Sequence, residues 1–128
     1  MIGNRLWGVA LATGSAILCS SPSAIAAPYD GHWGVFAQTT RGHCESIPFG
    51  LEIRDGRIYS AGGSYGGYEA RFGGHVSPWG RVWVYGVAGP GVARGIGQLG
   101  EFRGEGVWAG RGPSGRCSGV WSADRWWW

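Results

Sequence analysis

Four groups of residues in this chain have types and spacings that chemistry uses. Gly62-Gly63-Ser64-Tyr65-Gly66 fits the G-x-S-x-G nucleophile elbow, which presents a serine on a strand–turn–helix in a large α/β sheet. Gly95-Ile96-Gly97-Gln98-Leu99-Gly100 fits the dinucleotide fingerprint, whose glycines bring a helix N-terminus close to a pyrophosphate. The carboxylates Glu69, Glu101, Glu105 and Asp124 could supply the acid and base of glycoside hydrolysis. Tyr65, Tyr68 and Trp79 sit in or beside turn signals, where alternation leaves aromatic faces exposed to stack on a sugar or another small ligand.

The first three groups fail on context. Glycine makes up 27 of the 128 residues, and within Ala27–Trp128 composition alone predicts roughly 0.4 chance matches to the first pattern and roughly 1.3 to the second. No helix-forming stretch follows either motif, so both are turn and strand glycines. The carboxylates are interspersed with arginines, as on a solvated surface of mixed sign. His32, His43 and His75 are scattered, and no CxxC or HxxxH spacing exists, so no metal site is expected. The reading predicts no catalytic residue, no metal and no cofactor. Tyr65, Tyr68 and Trp79 remain as candidate ligand contacts, against the alternative that they cap the sheet.

The start of the chain places these residues in a compartment. Arg5 is followed by an uncharged apolar stretch, Leu6 to Cys19, and then by Ala24-Ile25-Ala26, the small-x-small pattern of a signal peptidase site. The apolar stretch is shorter than the roughly 20 residues of a membrane-spanning helix. Lipidation of Cys19 would want a small residue before it, and Leu18 stands there. Residues 1–26 therefore read as a signal peptide, and 27–128 as a domain that is secreted or periplasmic. Cleavage leaves two cysteines, Cys44 and Cys117, and an even pair in an exported domain reads as a disulfide.

The elements that must position these residues are strands. There is no lysine, and Leu51 and Leu99 are the only leucines after residue 26. Glycine costs about 1 kcal/mol per helical position relative to alanine, whereas the abundant Trp, Tyr, Phe, Val and Ile favour strands. Leu51 to Arg54 alternates into Asp55-Gly56, and Arg57 to Tyr59 alternates back, a strong hairpin signal. Turn signals at Gly62-Gly63, Gly66-Gly67, Gly73-Gly74, Pro78-Trp79-Gly80, Gly89-Pro90-Gly91 and Gly112 to Gly115 divide the rest. Strands are expected near 32–39, 50–54, 57–61, 68–72, 75–77, 81–87, 93–99, 106–111 and 116–125. The expected fold is all-β: a single antiparallel meander of about eight short strands, closed as a small barrel or folded as a sandwich, with one disulfide.

Gly31-His32-Trp33, Gly106-Val107-Trp108 and Gly119-Val120-Trp121 repeat one unit. A period of two puts Trp33, Val35 and Ala37 on one face, and Cys117, Gly119, Trp121 and Ala123 on one face of the last strand. Glycine before tryptophan leaves room for a neighbouring indole or backbone, and the likeness of first and last strands suggests that they pair to close a barrel. Val82-Trp83-Val84-Tyr85 is apolar on both faces, so a core on one side and some cover on the other are expected. With few aliphatic residues, Trp33, Trp108 and Trp121 would fill the lumen, leaving no large cavity.

Tyr29-Asp30-Gly31-His32-Trp33, Thr40-Arg41-Gly42-His43-Cys44, Gly56-Arg57-Ile58, Gly104 to Trp108 and Cys117 to Arg125 together resemble a group of small secreted proteins from rhizobium-like alphaproteobacteria. The resemblance covers most of 27–128 and departs at Gln98, where a basic residue is expected, and in the tail Trp126-Trp127-Trp128. It implies export and architecture and transfers no catalytic residue. The Gly-x-Trp opening is also similar to that of avidin- and lipocalin-type barrels.

Charge adds little. The positive balance is carried by arginines with no basic run, which argues against a nucleic-acid surface and is compatible with a cell-envelope glycan or protein partner. A terminal aromatic is what outer-membrane barrels carry, but Ser122 and Asp124 stand where the required alternation needs apolar residues. The tail is expected either to pack over an open barrel end or to make peripheral contact with a partner or membrane through Trp126, Trp127 and Trp128. The function expected is that of a non-enzymatic envelope module acting by binding or structural contact. A glycan- or small-ligand-binding barrel is the alternative, and a small hydrolase a remote third.

Overall fold

The computed structural model describes residues 28–126. Its strands are β1 (Gly31–Arg41), β2 (Ile47–Arg54), β3 (Arg57–Tyr65), β4 (Tyr68–Glu69), β5 (Arg71–Val76), β6 (Arg81–Ala88), β7 (Gly91–Leu99), β8 (Arg103–Gly112) and β9 (Gly115–Arg125). All pairings are antiparallel between chain neighbours, except that β3 skips two-residue β4 to reach β5 and β1 returns to pair with β9. Eight strands thus close into an up-and-down barrel, with β4 as an extra strand on β3. The expected pairing of first and last strands is realised, with Ala37 opposite Trp121 and Val35 opposite Ala123.

The Asp55-Gly56 hairpin forms as its residues dictate. Asp55 and Gly56 have φ of 51° and 76°, the two left-handed residues of the tight turn that matches strand twist. The Asp30 carboxylate accepts hydrogen bonds from the Asp55 and Gly56 amides at 2.6 and 3.3 Å, tying the chain before β1 to this turn.

Two expected turns are strand interior instead. β3 runs through Gly62-Gly63, and β5 runs unbroken through Gly73-Gly74, merging two expected strands. Gly63, Gly73 and Gly74 serve close approach rather than reversal, whereas Gly62 has open space beside it. The outward ring of Tyr85 occupies the space a Gly73 side chain would need, and the backbone of Trp83 crowds the corresponding space at Gly74. β2 also starts earlier than expected, at Ile47.

Inward residues alternate around the whole barrel. Trp33 (1% exposed), Leu51, Ile53, Ile58, Val76, Val82 and Leu99 close one end. Arg125 seals that floor from outside: its guanidinium stacks 5.3 Å from the Trp33 ring centre and donates to the carbonyls of Asp30 and Glu101. At the other end Cys44, in the β1–β2 loop, is bonded to Cys117 of β9, with their Cα atoms 6.0 Å apart. The predicted disulfide is present.

The outer face corrects the expectation of a cover over Trp83 and Tyr85. Both rings are exposed and lie against cross-strand neighbours, Trp83 stacking on His75 at 4.7 Å and Tyr85 lying over Gly73. Arg54, Arg57, Arg71, Arg81 and Arg94 share that outer surface while the lumen is apolar. The same outer surface carries the exposed Phe36, Val87, Val92, Ile96, Val107 and Val120. Among the described residues no helix is long and apolar enough to cross a membrane.

Candidate functional site

The three indoles of the recurring unit all point inward, Trp33 at the floor and Trp108 and Trp121 higher in the barrel. Trp121 of β9 covers the glycine positions Gly106 on β8 and Gly97 on β7. Any side chain at either would occupy the ring's place. Its Nε1 donates to the Ile96 carbonyl at 3.2 Å. Trp108 of β8 donates to the Gln38 carbonyl of β1 at 3.2 Å, across Gly119 of β9, where a side chain would collide with that same carbonyl. Trp33 Nε1 donates to the Tyr29 carbonyl at 2.9 Å. Each indole N–H is satisfied, as a buried one must be.

Because Trp121 and Trp108 rest on glycine-lined wall, they contribute less bulk at the axis than the sequence reading assumes. The lumen is therefore not filled throughout. A cavity of about 130 Å³ remains, bounded by Trp33, Val35, Val84, Trp108 and Trp121 and by Phe49 and Phe72, which stack 4.0 Å apart. An interior of eight strands is just wide enough to be filled by side chains or to hold one small ligand. No polar or charged residue is fully buried among those described, so the deep lumen offers a guest almost nothing but hydrocarbon.

The open end is framed by the β1–β2, β6–β7 and β8–β9 connections and crossed by the β3–β4 hairpin. Tyr65, at the end of β3, is half-buried, lines the cavity, and packs against Gly91 and Gly112. Tyr68 is its register partner. It lies more exposed, with its ring over Gly89. Trp79 stands apart from both. It is 79% exposed in the β5–β6 turn at the closed end, where Gln98 Nε2 donates to its carbonyl at 2.6 Å and Ser77 Oγ accepts from its amide. Of the three candidate ligand contacts the fold brings together two.

The discounted motifs lie where glycine strands would put them. Ser64 is on exposed β3 opposite Glu69, and Gly95 to Leu99 are within β7. Asp124 pairs with Arg103 at 3.4 Å on the outer face, Glu105 is outside on β8, and Glu101 is in the β7–β8 turn. No group of three His, Cys, Asp or Glu among the described residues could hold a metal. Trp126 settles on the outer wall, its amide donating to the His32 carbonyl at 2.9 Å and its indole against Gly34, rather than over an open end. Trp127 and Trp128 lie outside the described residues, as does the expected signal peptide.

Three residues of this site escaped the sequence reading. Phe49 and Phe72 form an aromatic wall, and Glu45 Oε1 accepts a hydrogen bond from the Gly66 amide at 3.1 Å. The alternation Ile47, Phe49, Leu51, Ile53 could have placed Phe49 inward. Nothing local marks Glu45. No family model, curated protein or solved structure matches this chain.

Proposed function

We propose that this protein is an exported, non-enzymatic binding module whose site is the barrel lumen, and that its ligand is a small apolar molecule. The observation that carries the reading is the apolar cavity of about 130 Å³ lined by Phe49, Phe72, Trp108 and Trp121 and reached from the open end of the barrel. An engineered apolar cavity of about 150 Å³ stays dry and takes up benzene or xenon, so this lumen suits a guest of about one ring. A sugar is a poorer fit inside. Its hydroxyls would lose water and find the indole N–H groups already donating to Tyr29, Gln38 and Ile96, at a cost of about 1–3 kcal/mol per unpaired group. Export is supported by the charge–apolar–small-x-small order of the first 26 residues and by the disulfide.

Toluene should bind saturably, raise the unfolding midpoint with concentration as a native-state ligand must, and shift methyl resonances of Val35 and Val84. Val84→Phe, which places a ring in the void, should abolish the binding in a protein whose circular dichroism is unchanged. Toluene binding equally well to Val84→Phe would remove the lumen as the site.

A further inference from the structure

The hairpin over the mouth is attached unlike the rest of the barrel. β3 pairs with β5 at Arg57–His75, Ile58–Gly74 and Tyr59–Gly73 and then leaves it. At the point of departure the Ser60 hydroxyl stands in for the backbone, accepting from the Phe72 amide at 2.6 Å and donating to its carbonyl at 3.3 Å. Beyond it the chain continues as an arm, turns at Gly66-Gly67, and rejoins where the Ala70 amide donates to the Gly63 carbonyl at 2.9 Å. Gly62 and Gly63 at the arm's base have φ of 113° and 138°, values that L side chains rarely adopt.

What the arm touches decides its role. In the closed strand order, β8 lies four strands from β3 in either direction, so the two are diametrically opposed. Tyr65, at the end of β3, nevertheless packs against Gly112 at the end of β8 and against Gly91 beside it on β7. The ring therefore spans the mouth. Glycine at both contact points lets it lie against backbone, since a side chain at Gly112 would collide with its hydroxyl. Tyr68 rests on Gly89 of the β6–β7 turn, and the Glu45 carboxylate holds the Gly66 amide from the β1–β2 loop. The arm thus reaches three sides of the rim, and Tyr65 also lines the cavity below.

We propose that Tyr65 is the specificity-determining residue of the lumen: its ring ends the cavity at the open side and limits the ligand to a compact, uncharged, single-ring or similarly short apolar molecule. The proposal rests on the lumen being the binding site. With the ring in place, a longer chain would meet Tyr65 at the open side, and an anionic head group would have to pass it, among the rim residues Glu45, Arg94 and Arg111. With the ring gone, the axis opens to solvent between Gly91 and Gly112, so an alkyl chain can lie in the lumen with its carboxylate outside.

The test compares toluene and decanoate by calorimetry on the disulfide-bonded protein and on Tyr65→Ala and Tyr65→Phe. The parent and Tyr65→Phe should bind toluene and take decanoate at least tenfold more weakly. Tyr65→Ala should gain at least tenfold in decanoate affinity, so that the parent's preference for toluene narrows or reverses. Decanoate binding tightly to the parent, or no more tightly to Tyr65→Ala, would overturn the gate and leave the lumen site standing. Tyr65→Phe behaving like Tyr65→Ala would overturn a role for ring bulk. If none of the three proteins binds either compound, the lumen reading falls and the gate with it.

Discussion

At the scale of single residues, the chain repeatedly sets one large ring against one missing side chain. Trp121 on Gly97 and Gly106, Tyr85 on Gly73, Tyr65 on Gly112 and Trp126 on Gly34 are the same device. Each lets an aromatic lie close to a wall, and at Trp121 the indole N–H reaches the Ile96 carbonyl. The tryptophan is the half of the pair that carries the stability. Trp121 is 6% exposed, and Trp121→Ala should cost about 3–5 kcal/mol, the range for deleting a buried large aromatic. Urea unfolding monitored by far-ultraviolet circular dichroism measures it. A variant as stable as the parent would mean that the lumen relaxes around the loss.

At the scale of elements, the seam between β3 and β5 is the weak join of the barrel. Its backbone register stops at Tyr59–Gly73, whereas β8 and β9 stay paired from Arg103–Asp124 to Gly112–Gly115. Ser60 carries the continuation through one side chain. Ser60→Ala should cost about 0.5–1.5 kcal/mol, the net worth of a typical hydrogen bond. It should also speed hydrogen exchange at the Phe72 amide while leaving the amides of β7 to β9 unchanged. Uniform acceleration across all strands would show instead that the seam opens only with global unfolding.

At the scale of the molecule, two fastenings close the ring of strands at opposite ends. Arg125 of β9 bridges the Asp30 and Glu101 carbonyls over the Trp33 floor, while the Cys44–Cys117 bond ties the β1–β2 loop to β9 at the open end. The bond closes a sequence separation of 73 residues, for which chain entropy predicts a contribution of about 4 kcal/mol. Cys44→Ser/Cys117→Ser should lower the unfolding free energy by about that amount in chemical denaturation. Because Cys44 also borders the cavity near Tyr65, the same variant should loosen the lid hairpin before it disturbs the floor.

The sequence by itself determined the class and the frame. Glycine and β-branched or aromatic residues excluded helices, the period of two assigned Trp33, Val35, Trp121 and Ala123 to the interior, and the likeness of the first and last strands foretold their pairing. These properties are local, or depend on residue type alone. The sequence misread Gly62-Gly63 and Gly73-Gly74, because glycine breaks a strand or lets another chain lie against it, and only the neighbour decides which. The cavity belongs to the same class of fact. Its existence depends on Trp108 and Trp121 lying along the wall instead of across the axis, which the glycines of other strands permit. Tyr65 faces Gly112 only because four strands separate β3 from β8 around a closed ring of eight. Closure is a property of the whole sheet, and so the site that closure creates could be decided only by the tertiary structure.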